Sequence, residues 1–95
     1  MNFETETVDV DRIRESEFFK KHYNRPAIVA RNFDRELREN GQTMPLVIDW
    51  DTNEVIIGVG QFRAMKRLGW EKCECIRCNG RDRKSVTRIL CDLIK

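Results

Sequence analysis

Residues 54–69 read Glu-Val-Ile-Ile-Gly-Val-Gly-Gln-Phe-Arg-Ala-Met-Lys-Arg-Leu-Gly, a short apolar run that passes through two glycines into a basic amphipathic stretch. Val55, Ile56 and Ile57 follow the turn-forming residues Asp49, Trp50, Asp51, Thr52 and Asn53, which marks the second strand of a hairpin. Gly58 and Gly60 admit backbone angles closed to other residues and let another group approach the chain closely. A helix is expected from about Gln61 to Leu68, ending at Gly69. Its unpaired N–H groups and the positive end of its dipole then lie at the glycine turn, a place that attracts phosphate or carboxylate. The same glycines also serve a plain corner between strand and helix.

Working outward, residues 45–48 (Pro-Leu-Val-Ile) form the first strand of the hairpin. Asp49 and Asp51 carry hard oxygens that suit magnesium, but Asp and Asn close turns through their own backbone, and turn chemistry is the expected role. Pro26 suits a first helical turn; Val29, Phe33 and Leu37 recur every four residues, and Asn40-Gly41 stops the helix. Residues 8–13 alternate Val8 and Val10 with Asp9 and Asp11 and read as a short strand leading into a turn. Residues 15–25 hold Phe18, Phe19, Tyr23 and the single histidine, His22, and their pattern assigns neither helix nor strand. Beside Lys20 and Lys21, His22 reads as a surface residue.

On the helix after the glycines, Phe62, Met65 and Leu68 share one face, and Arg63, Lys66 and Arg67 form a basic stripe on the other. A further strand covers residues 73–77. Beyond Asn79-Gly80 a terminal amphipathic helix over about 82–94 has Asp82 or Ser85 as its cap. Val86, Ile89, Leu90, Leu93 and Ile94 make its apolar face and Arg81, Arg83, Lys84 and Arg88 its basic one. That apolar face either packs on its own domain or supplies a homodimer or protein-partner contact.

At 95 residues the chain is expected to form one domain with a thin two-layer core. Hydrophobic residues make up 40% and charged residues 36%, a globular composition rather than a disordered one. No apolar run approaches the roughly 20 residues that span a membrane. The opening Met-Asn-Phe-Glu-Thr-Glu lacks the basic start and apolar centre of a signal peptide, so a cytoplasmic protein is expected. Charge is uneven: residues 1–56 hold eight Lys/Arg against twelve Asp/Glu, a balance of −4, and residues 57–95 hold ten against four, a balance of +6. A basic half steers toward nucleic acid or a nucleotide, or is simply a solvated surface.

Cys73, Cys75, Cys78 and Cys91 fall in the last quarter of the chain. Four thiolates suit tetrahedral zinc, yet Cys73 and Cys75 sit on one face of a strand and Cys78 on the other. They read as small buried hydrophobes, with no metal site assigned.

The order of strand, helix, Gly, Pro-strand, turn, strand, Gly-turn-helix and strand resembles the ParB/sulfiredoxin-like domain over roughly residues 8–78. The residues that carry the likeness are Val8-Asp9-Val10-Asp11-Arg12-Ile13, then Leu37-Arg38-Glu39-Asn40-Gly41 with Pro45-Leu46-Val47-Ile48, then residues 58–64 with Leu68-Gly69-Trp70 beyond. Residues 63–70 look especially similar to versions found on phages and other mobile elements. The resemblance implies an α+β fold with a small mixed sheet of about four strands packed with helices. It implies a nucleotide or nucleic acid as ligand, with Mg2+ alongside a nucleotide, since such proteins include CTP-binding partition proteins, sulfiredoxin, a free-serine kinase and nucleases.

Their signature after the strand is Gly-x-x-Arg, whose arginine holds phosphate at the helix start. Here the glycine is Gly58 and the arginine position holds Gln61. Glutamine lacks the charge and the fork that grips a phosphate bidentately. By this resemblance the phosphate-binding set is Gly58, Val59, Gly60, Gln61, Phe62 and Arg63. Glu15 and Glu17 occupy the region of the kinase carboxylate and are the candidate catalytic bases. The sulfiredoxin cysteine falls on Val59, which sets that activity aside.

Three functions follow as expectations. The first is a DNA- or nucleotide-binding accessory domain with a degenerate phosphate turn and no strong catalysis, using Arg63, Lys66, Arg67, Arg81, Arg83, Lys84 and Arg88 on nucleic acid. The second is a metal-dependent nuclease or nucleotide hydrolase. The third is an interaction module that uses the C-terminal helix.

Overall fold

A computed structural model describes residues 4–23 and 32–93 of the chain. Strands β1 (Glu6–Asp9), β2 (Leu46–Asp49), β3 (Val55–Ile57) and β4 (Lys72–Cys78) form one mixed sheet in the order β1-β4-β2-β3. β4 pairs antiparallel with β1 and parallel with β2, and β2 and β3 close the antiparallel hairpin. Helices are α1 (Glu17–Tyr23), α2 (Phe33–Asn40), α3 (Val59–Arg67) and α4 (Arg83–Leu93). The fold is α+β, as the element order implies.

The central strands are apolar on both sides. Leu46, Val47 and Ile48 are all fully buried, the continuous pattern of a strand covered above and below. One cluster gathers Leu46, Ile48, Cys73 and Cys75 from the sheet with Leu37 of α2 and Phe62, Ala64 and Met65 of α3. The other gathers Val47, Ile76 and Cys78 with Phe19 of α1 and Val86 and Leu93 of α4. Alternate residues of one strand point to opposite faces, so α2 and α3 cover one face and α1 and α4 the other. The molecule therefore has three layers where the length alone suggested two.

Several elements differ from their sequence expectation. The strand expected over residues 8–13 is β1 followed by a 3-10 turn, Val10–Arg12. Strand alternation carries Val8 inward, and the turn brings Val10 and Ile13 into the same cluster. α1 occupies Glu17–Tyr23 of the stretch whose pattern assigns neither helix nor strand. Buried Ser16 caps it, its Oγ accepting from Phe19 N (3.3 Å).

The helix expected from Pro26 begins at Phe33, because Asn32 is non-helical (φ −87°, ψ 83°) and its side chain accepts from Arg35 N at 3.1 Å. Pro26 and Val29 lie outside the described residues. The apolar face of α4 packs on its own sheet through Val86, Ile89 and Leu93, while Ile94 lies outside the described residues. No helix among the described residues is long and apolar enough to cross a membrane.

Candidate functional site

α3 starts at Val59, two residues before the expected Gln61, and this changes what the two glycines do. Gly58 is the N-cap residue, at φ 106° and ψ 24°, a left-handed conformation that a side chain opposes. A Cβ on it would also stand 2.8 Å from Leu46 Cδ2. Gly60 lies inside the first helical turn, where a Cβ would meet the Phe33 ring at 2.9 Å. Its lack of a side chain lets α2 and α3 cross closely.

Each member of the expected phosphate-binding set can be placed. Val59 packs against the α2/α3 cluster and Phe62 is fully buried in it. Gln61 is only 7% exposed, and its Nε2 donates to Met44 O at 2.9 Å. Met44 O also accepts from Gln42 Nε2 (3.0 Å), while Gln42 reaches the backbone of Glu74 in both directions, Nε2 to O and N to Oε1, each at 2.8 Å. Gln61 thus ties the loop before β2 to α3 and is not free at the turn. No side chain caps α3, and no acid occupies its first turn.

Arg63 turns to the segment before α1, its Nε and Nη2 donating to Glu15 Oε1 at 3.0 and 2.6 Å. Arg67 grips Asp34 of α2, its Nη2 donating to Oδ1 and its Nε to Oδ2. The hydrogen bond from Arg63 holds the Glu15 carboxyl below its usual range, outweighing partial burial, with the charges of Arg63, Lys20 and Lys66 adding to it. Glu17, 92% exposed at its side chain, meets Lys20 Nζ at 3.4 Å. The Glu15 ion pair lowers proton affinity, the reverse of what a general base working near neutrality needs.

The basic residues of α4 are arranged otherwise. Asp82 opens the helix, accepting from Lys84 N (3.2 Å) and Ser85 Oγ (2.7 Å). Arg81, Arg83, Lys84 and Arg88 are all exposed, and none forms an ion pair among the described residues. Arg83 and Lys84 lie in a first turn that contains no acid, against the positive end of the helix dipole. Because α3 and α4 cover opposite sheet faces, the structure does not bring the two basic sets together.

Asp49 is the residue whose reach the sequence understated. Buried, it accepts at Oδ2 from Asp51 N, Thr52 N and Thr52 Oγ1 (3.2, 3.2 and 3.1 Å) and at Oδ1 from Gly80 N (3.0 Å). The first three bonds are the turn chemistry expected of an Asp at a hairpin end. The fourth ties the hairpin to the start of α4 and has no local sequence signal. Burial alone would raise this carboxyl, but the bonds from Gly80, Asp51 and Thr52 together hold it below its usual range.

Cys73, Cys75 and Cys78 are buried free thiols divided between the two clusters, and Cys91 is exposed. Burial and the nearby charges of Asp49 and Asp82 push Cys78 up to about 11, so it stays a protonated thiol at neutral pH. Among the described residues no three His, Cys, Asp or Glu side chains converge to hold a metal ion.

No family model matches the sequence, and no curated protein is similar to it. Solved structures are. The N-domain of a pNOB8-like ParB superposes with a TM-score of 0.62 at 23% identity, over 82% of this chain and 30% of that one. The C-terminally truncated chromosome-partitioning protein ParB from Caulobacter crescentus, complexed with CTP-gamma-S, gives 0.62 at 18%, over 92% and 50%. Sulfiredoxin from Arabidopsis thaliana gives 0.58 at 13%, over 80% and 85%. This chain spans about a third of the first of these structures and half of the second. At such identities the likeness speaks to architecture, and with the sheet order and helix placement above it is decisive there: this chain has the ParB/sulfiredoxin-like fold.

Proposed function

We propose that the chain is a nucleic-acid-binding accessory domain that uses the outward face of α4, and that its glycine turn keeps the signature of the fold without the phosphate grip. The observation that carries this reading is the set Arg81, Arg83, Lys84 and Arg88, exposed and without ion pairs among the described residues. Cations at the positive end of a helix dipole cost stability, and a bound polyanion relieves that cost. Backbone phosphates need only charge of this kind, without base-specific contacts. The setting that fits is a cytoplasmic protein of phage or mobile-element kind.

Fluorescence anisotropy with a labelled 20-mer duplex of DNA tests the reading. Binding is expected to weaken steeply between 50 and 200 mM salt, and Lys84→Glu with Arg88→Glu should reduce the slope of log affinity against log salt by about two. Affinity that ignores salt, or ignores those substitutions, overturns the reading.

A nucleotide at the α3 turn is the second reading. The uncapped first turn of α3 supports it, as does the CTP-gamma-S complex of the Caulobacter crescentus protein. The engaged Gln61 speaks for weak binding. Gln61→Arg adds the missing charge and should raise affinity for nucleoside triphosphates in the presence of Mg2+. A nuclease or hydrolase reading requires Mg2+-dependent turnover that disappears in Glu15→Ala or Glu17→Ala.

A further inference from the structure

Two large hydrophobic side chains stand in solvent among the described residues, Trp50 at 64% and Phe18 at 40% exposure. Both border the turn that leads from β4 into α4. Trp50 N donates to Cys78 O (2.8 Å), and the Arg81 guanidinium lies over the Phe18 ring, 4.8 Å from its centroid. Only Asn79 and Gly80 lie between Cys78 and Arg81, a backbone span of about 11 Å at most.

Leaving a tryptophan ring in water forgoes the gain of burying it, yet the backbone beneath this one is firmly held. Asp49 ties the hairpin turn to Gly80 and to its own loop. On the other side Arg77 Nη1 donates to Trp50 O (3.4 Å) and to Asn53 Oδ1 (2.6 Å). A ring presented from a fixed turn has little left to order when a ligand stacks on it. Across the turn, Phe18 stacks on His22 with centroids 4.0 Å apart and holds the Arg81 guanidinium. A guanidinium is itself a flat cationic surface for a base. Lys84 and Arg88, four residues apart on one helix face, extend the positive charge along α4.

We propose that this surface takes single-stranded nucleic acid, with an unpaired base stacked on Trp50 and backbone phosphates along Arg81, Lys84 and Arg88. The inference rests on the nucleic-acid reading of α4 and adds the state of the strand. In a duplex each base is stacked by its neighbours and has no free face to offer a protruding ring. In a single strand each base does, and aromatic rings interleaved with basic residues are the combination that binds it.

The test titrates wild-type protein, Trp50→Ala and Trp50→Phe with 15-mers of oligothymidine and oligouridine and with a duplex of equal length, at low salt. A single-strand affinity above the duplex affinity is expected. Trp50→Ala should weaken single-strand binding about ten-fold, the size of one stacked base, and weaken it more than duplex binding, while Trp50→Phe restores most of the loss. Tryptophan emission should be quenched by the single strand in wild type and far less in Trp50→Phe. The two homopolymer arms tell a DNA source from an RNA source, and binding of either supports the proposal.

Equal effects of Trp50→Ala on duplex and single strand, or none on either, overturn the stacking inference and leave the basic-face reading standing. Absence of salt-dependent binding to any of the three oligomers overturns both. If Trp50→Ala alters the sedimentation of the protein alone and no affinity, Trp50 is a protein contact and the proposal is overturned.

Discussion

Helix α3 carries Lys66 and Arg67 in its last turn, where the dipole favours cations, and closes Arg63 and Arg67 onto Glu15 and Asp34. Helix α4 carries Arg83 and Lys84 in its first turn, where the dipole opposes them, and closes none of its basic residues onto a carboxylate among the described residues. The two helices look alike as sequence, each with an apolar face and a basic one. The difference lies in what faces them. α3 is bordered by α2 and by the segment entering α1, which supply carboxylates, so its arginines are engaged in ion pairs within the domain. At the start of α4 the Asp82 carboxylate is taken up by Lys84 N and Ser85 Oγ, and Arg81 just before the helix lies over the Phe18 ring, so the side-chain cations here close no ion pair among the described residues. Position along a helix and the sign of the neighbours, more than the count of Lys and Arg, separate a cation that staples from one that recruits.

Charge reversal breaks or sharpens this contrast most strongly. Lys84→Glu with Arg88→Glu should lower nucleic-acid affinity about 100-fold at low salt, with little change in thermal midpoint, as read by anisotropy and calorimetry. Reversal at Arg63 and Arg67 should do the opposite, lowering the midpoint with a smaller loss of affinity. Comparable losses of affinity from both pairs would mean that the two helices act as one surface.

The anchoring side of the contrast is probed next by Gly58→Ala, which forces a side chain into the left-handed region beside Leu46. It should cost about 1–3 kcal/mol in chemical denaturation. Asp49→Asn removes the anionic acceptor that joins the hairpin to α4, at a cost of about 1–3 kcal/mol. It should also flatten the acid limb of stability. The sign follows from linkage: the folded Asp49 titrates below its usual 3.8 and Glu15 below its usual 4.5. The unfolded chain therefore takes up protons first as pH falls. Their stabilisation is complete above those usual values and is lost as pH drops through the lowered folded ones. Urea titrations at pH 7, 4 and 3 measure it.

Gln61→Ala leaves Met44 O with Gln42 as its remaining partner and should cost about 1 kcal/mol. Arg67→Ala should give the smallest effect, a slight fall in midpoint that high salt erases, because the pair with Asp34 is solvent-screened.

The sheet and the periodic helices were legible because their signals are local. The hairpin shows in the Val55 to Ile57 run after a turn, α4 in the spacing of Val86, Ile89 and Leu93, and the split of the cysteines in strand alternation. The start of α3 was misplaced because two glycines disfavour a helix interior. Only the crossing with Phe33, distant in sequence, explains Gly60. The helix face of Arg63 and Arg67 could be read, but their partners Glu15 and Asp34 lie 48 and 33 residues away. Gln61 was legible as a departure from Gly-x-x-Arg. Its bond to Met44 O, 17 residues back, was not. Trp50 stood inside a turn, where composition says nothing about exposure.

The register of β4 sets an order on folding. β4 lies between β1 and β2, so the first strand of the chain waits for residues 72–78 before it has a neighbour. Until then the nascent chain can form only the β2–β3 hairpin and its helices. Closure joins Glu6 to Cys75 across most of the polypeptide, a long loop whose entropy is lost before the contacts return it. Sheet completion is therefore expected to be the late, rate-limiting event. Deletion of β1 would expose one edge of β4, whereas deletion of β4 would leave only the β2–β3 hairpin and take from β1 its neighbour.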